Sequence, residues 1–164
     1  MSSSTRTAAV IISSTRAAAG VYPDRTGPLI AQWLGDRGFD VAVDVVADGD
    51  PFVTALRVAL GVDLIITSGG TGISPTDRTP QLTAGVLDYE IPGLAEQIRR
   101  VGADGVPTAV LSRGLAGVAG RTLVVNLPGS TGGVRDGLAV LGGVLDHALD
   151  QLRGGDHPQG GGVP

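Results

Sequence analysis

The sequence predicts an α/β protein in three layers, a mostly parallel sheet with helices on both faces. Three observations carry that expectation. Short aliphatic runs alternate with helix-patterned stretches, the rhythm of strand–helix units around a parallel sheet. Three helix starts are punctuated alike, each a residue suited to an N-cap followed by proline. The chain has 164 residues, 42% hydrophobic and only 3% aromatic. A chain of that size buries roughly 70% of its unfolded surface, so Val, Leu, Ile and Ala suffice for one aliphatic core.

In order, the first strand is expected at Ala8–Ser13 ("AAVIIS"), and Val41–Ala47, Asp63–Ser68, Pro107–Ser112 and Thr122–Leu127 follow as further strands. Helices are expected to begin at Gly27-Pro28, Asp50-Pro51 and Thr79-Pro80. The last helix is the clearest periodic element: Val134, Leu138, Leu141, Leu145, Ala148 and Leu152 recur at spacings of 4, 3, 4, 3 and 4, one face of a helix that packs on the sheet. Asp136 near its start and His147 and Arg153 near its end suit the helix dipole. Residues 1–6 read as a flexible N-terminus, 7–153 as a single domain, and 154–164 ("GGDHPQGGGVP") as a Gly-rich disordered tail in which His157 has no partner.

Composition excludes several function classes. The net charge is −4 and all 12 basic residues are Arg, which argues against a nucleic-acid partner and is also what a G- and C-rich genome gives. Any side-chain cation on a phosphate must then be Arg. Cysteine is absent and only two His exist, which removes disulfides, thiolate nucleophiles and thiolate zinc sites. No apolar run reaches membrane-spanning length. The run near the N-terminus is too short for a signal peptide, so a cytoplasmic location is expected.

In an open α/β sheet ligands bind beyond the C-terminal ends of the strands, and every predicted strand here ends in polar or glycine-rich sequence. These ends are "SSTRAAAGVYPDRTGP", "DGDP" with Asp48, "TSGGTGISPTDRTP", Ser112-Arg113-Gly114 and "LPGSTGG". The third string is neither a P-loop, which needs Lys, nor the G-x-G-x-x-G of a dinucleotide site. It reads as a backbone cradle for an anion, with Thr71 and Ser74 as hydroxyl donors and helix N-termini after Thr79 and Ser130 aimed at the same place. Asp77 then poses a problem of sign, because a carboxylate about 4 Å from a phosphate charge is unfavourable by about 4 kcal/mol at an effective dielectric near 20. Either the site takes no polyanion or a cation lies between. Magnesium suits the second case, since one or two carboxylates plus phosphate oxygens hold it, and Asp48 supplies a second acid. Plain turn or cap roles for Asp48 and Asp77 stand beside that reading.

The string S-G-G-T-G-x-x-x-x-D-x-T-P, with "SRG" at Ser112–Gly114 and "VNLPGS" at Val125–Ser130, resembles the molybdopterin-binding family. Within it the match is to stand-alone molybdopterin adenylyltransferases, related to the N-terminal domain of gephyrin, and it runs from Ala8 to Leu152. The resemblance implies a molybdopterin-binding-like fold and Mg²⁺-dependent adenylylation of molybdopterin by ATP, giving adenylyl-molybdopterin and pyrophosphate. It implies a homotrimer or hexamer and a separate molybdenum-insertion enzyme downstream, with neither nucleic acid nor membrane as partner. Asp48 and Asp77 correspond to catalytic acids that position the metal. Ser13, Asp24, Ser68, Gly69, Gly70, Thr71, Gly72, Ser74 and Pro80 fall at substrate-binding positions, as do Ser112, Arg113, Asn126, Pro128, Gly129 and Ser130.

Three departures stand out. The family's S-D-[TR] becomes Ser13-Ser14-Thr15, the usual Pro before Asp48 is Ala47, and L-P-G-x-P-K becomes "LPGSTGG". The lost Lys removes a phosphate contact for which Arg113 and Arg135 are the candidate replacements, with a fork rather than a point charge. A pterin carrier without catalysis would keep the glycine loop without needing both acids, and an oligomeric scaffold in the same pathway is a further alternative. Metal insertion is the work of far longer chains of this family.

Overall fold

The computed structural model describes residues 4–155. The expectations for residues 1–3 and 156–164, including His157, lie outside the described residues. Among these, β1 (Thr7–Ser13), β2 (Asp40–Val46), β3 (Leu64–Ser68), β4 (Tyr89–Glu90), β5 (Ala116–Ala119) and β6 (Thr122–Leu127) form one sheet. Its order is β2-β1-β3-β6-β5-β4. The pairs β2–β1, β1–β3 and β3–β6 are parallel, and β5 runs antiparallel to both β6 and β4. Val43, Val10, Ile66 and Val125 lie in one row across the parallel strands. That register brings Ser13, Val46, Ser68 and Leu127 to a common rim.

Alternation within the strands builds the three layers. Ala8, Val10 and Ile12 of β1, with Ile66 and Val125, enter a core beneath α2 (Thr26–Gly35), α5 (Pro92–Gly105), α6 (Thr131–Gly142) and α7 (Leu145–Leu152). Ala9 and Ile11, with Ile65 and Val124, enter a second core under Phe52 and Leu56 of α3 (Asp50–Ala59) and Leu82 of α4 (Thr79–Ala84). Each Val, Leu or Ile side chain buried this way contributes about 1.5–3 kcal/mol, which holds the strands in the interior.

Four local expectations are corrected. Pro107–Leu111 forms a 3-10 turn, with Val110 and Leu111 exposed, rather than a strand. The slot beside β6 is filled instead by Ala116–Ala119, whose small residues hide its strand character. A Cβ at Gly117 would collide with the Tyr89 carbonyl of β4, so glycine is required where these strands pair. The last helix is two, broken after Gly142. The seam survives the break because Gly143 and Val144 turn through bonds to Val140 and Leu141, leaving Leu141 and Leu145 both buried. Finally, Gly27, Asp50 and Thr79 already lie inside their helices, whose N-caps are Arg25, Gly49 and Arg78. α5, which begins after Ile91, had no such signal beyond Pro92.

Candidate active site

The rim carries two clefts separated by the turn that follows β6. The first, about 610 Å³, lies over the ends of β1 and β3; Asp48 and Asp77 both line it, with Ser13, Ser68, Gly69 and Gly70. The second, about 540 Å³, lies between α5 and α6; Thr71, Gly72, Ser112, Pro128 and Ser130 line it. Gly129 lines both. The rim is thus grooved into an acidic cleft and a helix cleft that share one wall.

Asp48 is held by the first loop. Ser13 Oγ donates to its Oδ1 at 2.6 Å and Thr15 Oγ1 to its Oδ2 at 2.9 Å. The loop that lacks the family acid thus fixes this one. Asp77 Oδ2 accepts from the Ser74 N–H at 3.1 Å and lies against Gly72, where a Cβ would come within 2.7 Å of it. The turn role and the cleft-lining role of Asp77 are both realised. The donors here are all oxygen: two carboxylates and neighbouring hydroxyls. Among the described residues no group of three or more His, Cys, Asp or Glu is assembled for a metal. A hard divalent cation completed by substrate phosphates and water fits that set; a metal caged by protein alone does not.

The glycines serve the fold as well as any ligand. Gly69 and Gly70 have φ of 96° and 68°, where side chains are strained. A Cβ on Gly69 would strike the Ser13 carbonyl, and one on Gly70 the Thr79 hydroxyl. Ser68 Oγ donates to the Pro128 carbonyl at 2.7 Å, which ties the end of β3 to the dividing turn. Ser130 caps α6 by accepting from the Gly133 N–H.

Five predicted residues line neither cleft, and each has another task. Asp24 caps α2 through the Thr26 and Gly27 N–H groups. Asn126 is buried, donating to Thr67 and Thr83 and accepting from the Leu115 N–H. Pro80 is buried in the first turn of α4. Ser74 is exposed and holds Asp77. Arg113 staples the glycine loop: its Nε donates to the Gly72 carbonyl at 2.9 Å and its Nη2 to the Asp77 carbonyl at 2.7 Å. A guanidinium so committed is not a free phosphate fork, and Arg135 lines neither cleft.

Residues 9–147 match the profile of the family described as "probable molybdopterin binding domain". The chain belongs to the molybdopterin-binding family. It is 39% identical over 154 residues to a molybdenum cofactor biosynthesis bifunctional protein from Synechococcus elongatus, with 92% of this chain and 48% of that protein covered. The chain thus spans about half the length of that relative. It is 36% identical over 132 residues to a molybdopterin adenylyltransferase from Haemophilus influenzae, with 76% of this chain and 67% of the relative covered. Among solved structures, the molybdopterin biosynthesis Mog protein from Mycobacterium ulcerans superposes with a TM-score of 0.89 at 62% identity, covering 93% of this chain and 99% of that one.

Two family expectations gain local detail. The acidic cleft does contain a cation, Arg16 of the short helix α1 (Thr15–Ala18), together with Tyr22. The polar loop after β1 flagged that region, but no motif singled out either residue. In the helix cleft, Arg99 and Asp136 were likewise missed, because each sits inside a helix with no spacing signal.

Proposed function

We propose that this chain transfers AMP from ATP to molybdopterin in molybdenum cofactor biosynthesis. The observation that carries the reading is the pairing of two clefts across one turn, with both acids in one and mostly apolar walls in the other. ATP places its phosphates in the acidic cleft. The pterin enters the helix cleft, and its phosphate reaches the shared turn at Gly129. A terminal phosphate oxygen of molybdopterin attacks the α-phosphorus of ATP; one P–O bond forms, the α–β bridge breaks, and pyrophosphate leaves. The nucleophile is already an anion, so no general base is required of a chain without Cys. The protein's work is to hold two anions in line and to offset charge as it develops. Asp48 and Asp77 would hold Mg²⁺, which neutralises charge on the ATP phosphates. Arg16 supplies the side-chain cation of that cleft; the lost family Lys falls at Gly132, which lines the helix cleft.

A carrier alone would need the helix cleft and the turn, but not two acids gathered in a neighbouring cleft. The reading includes assembly as a homotrimer or hexamer, a cytoplasmic location and a molybdenum-insertion enzyme that takes the product. No helix among the described residues is long and apolar enough to cross a membrane. The decisive assay is pyrophosphate release from ATP and Mg²⁺ with and without molybdopterin. Release that depends on molybdopterin is expected, and its absence from active-site-titrated protein overturns the adenylyltransferase reading in favour of a carrier or scaffold.

A further inference from the structure

The helix cleft holds a carboxylate without a partner. Asp136 is half-buried and lines the cleft from α6, and its carboxylate makes no hydrogen bond or ion pair among the described residues. Around it the walls are apolar, with Ile98, Ala109 and Leu111 and the bare backbone of Gly102 and Gly132. Gly132 and Asp136 lie four residues apart on one helix face. A Cβ at Gly132 would meet no protein atom within 4 Å, so no packing demand keeps that position small. Arg99, the cleft's cation, is turned to the chain itself, its Nη1 donating to the Gly114 carbonyl at 2.8 Å.

A half-buried carboxylate with no protein donor has acceptor capacity to spare for a ligand's N–H groups. The best match is a flat ring that slides between apolar walls and offers two adjacent neutral N–H groups to the two carboxylate oxygens. The pyrimidine edge of a 2-amino-4-oxopteridine, with its amino group beside a ring N–H, is that shape. We infer that Asp136 is the residue by which this protein selects the pterin ring, accepting a hydrogen-bond pair from its 2-amino edge. The inference rests on the adenylyltransferase reading for the identity of the ligand. It adds to it a residue, a face of the ligand and a basis for selectivity.

The test is titration of the full chain with 6-hydroxymethylpterin and with 6-hydroxymethyllumazine, in which a carbonyl replaces the amino group and faces the carboxylate with a lone pair. The wild type is expected to prefer the pterin by at least about tenfold, as sites built to receive an N–H reject analogues lacking it. In Asp136→Asn the preference collapses toward one, chiefly through weaker pterin binding, while ATP binding in the other cleft is unchanged and reports folding. Asp136→Ser, judged by the same ratio, covers loss of fold in the first variant. Gly132→Val is expected to weaken both pteridines alike by filling the cleft. An unaltered pterin-to-lumazine ratio in folded Asp136 variants overturns the assignment. If those variants leave the ratio unaltered while wild-type pyrophosphate release still depends on molybdopterin, only Asp136 is misassigned; if release shows no such dependence, the adenylyltransferase reading falls, and this inference with it.

Discussion

At the scale of single residues, the puzzle is a negative charge in a loop that otherwise resembles an anion cradle. Asp77 lies in a cleft with a second acid and with Arg16, and the one hydrogen bond its carboxylate makes among the described residues is one that an amide oxygen reproduces equally well. Asp77→Asn therefore isolates the charge. It is expected to lower kcat by about 10²-fold or more, the usual loss when one electrostatic stabiliser is removed. Molybdopterin affinity and thermal stability should stay near wild type, and steady-state kinetics with a melting curve decide between this and a plain turn role. Arg16 has no motif behind it, yet it lines the cleft in which the proposed reading sets the ATP phosphates. Arg16→Ala should raise KM for ATP by roughly tenfold, as loss of a charge-assisted hydrogen bond of about 1.5 kcal/mol implies, and should leave KM for molybdopterin unaltered. Both acids were legible in the sequence because their loops follow strand ends. Arg16, Arg99 and Asp136 were not, since what marks them is which way a helix face turns, and that is set by packing far away in the chain.

At the scale of elements, the glycine loop is as much a packed object as a ligand cradle. Its carbonyls are taken up by Arg113, which spans from Gly72 to Asp77 and so joins the walls of both clefts. Lys carries its three N–H donors on a single nitrogen and lacks the rigid fork by which Nε and Nη2 reach the two carbonyls. Arg113→Lys is expected to cost about 1–3 kcal/mol of stability and to raise both KM values, read by denaturant melts and initial rates. A second clasp lies at the opposite end of the sheet. Asp63 accepts from the Thr7 N–H at 2.9 Å and pairs with Arg153 at 3.2 Å, joining β1 to the end of α7. Burial pushes its pKa up, but the Thr7 and Arg153 bonds outweigh burial and hold it below the ordinary 3.8. A folded pKa below the unfolded one means that the clasp is fully present above about 3.8 and is lost as pH falls through the lowered value. Asp63→Asn should thus lower stability by roughly 1 kcal/mol at pH 7, a modest drop in Tm, and the gap to wild type should close in strongly acidic buffer. The element pattern was legible wherever bulky aliphatics or proline announced it. It failed at Ala116–Ala119, where the strand is built from small residues, and at Pro107–Leu111, where apolar residues lie on the surface.

At the scale of the whole molecule, the sheet register decides the chemistry by bringing the ends of β1, β3 and β6 to one rim. The turn at Pro128–Ser130 then divides that rim into two clefts with a common wall. A protein that parked AMP on itself would need an activated nucleophile there; Cys is absent from the chain, and His147, the His among the described residues, lines neither cleft. Ser13 is committed to Asp48 and Ser130 to the cap of α6. The proposed reading accordingly has transfer proceed directly, with both substrates bound together and without a covalent adenylyl-enzyme. Initial-rate plots against ATP at several molybdopterin concentrations should consequently intersect rather than run parallel. Labelled pyrophosphate should not exchange into ATP until molybdopterin is added. Parallel lines, or exchange without the pterin, would mean that AMP is held covalently between two half-reactions, and the two-cleft geometry would then have to be understood as sequential docking on one shared wall.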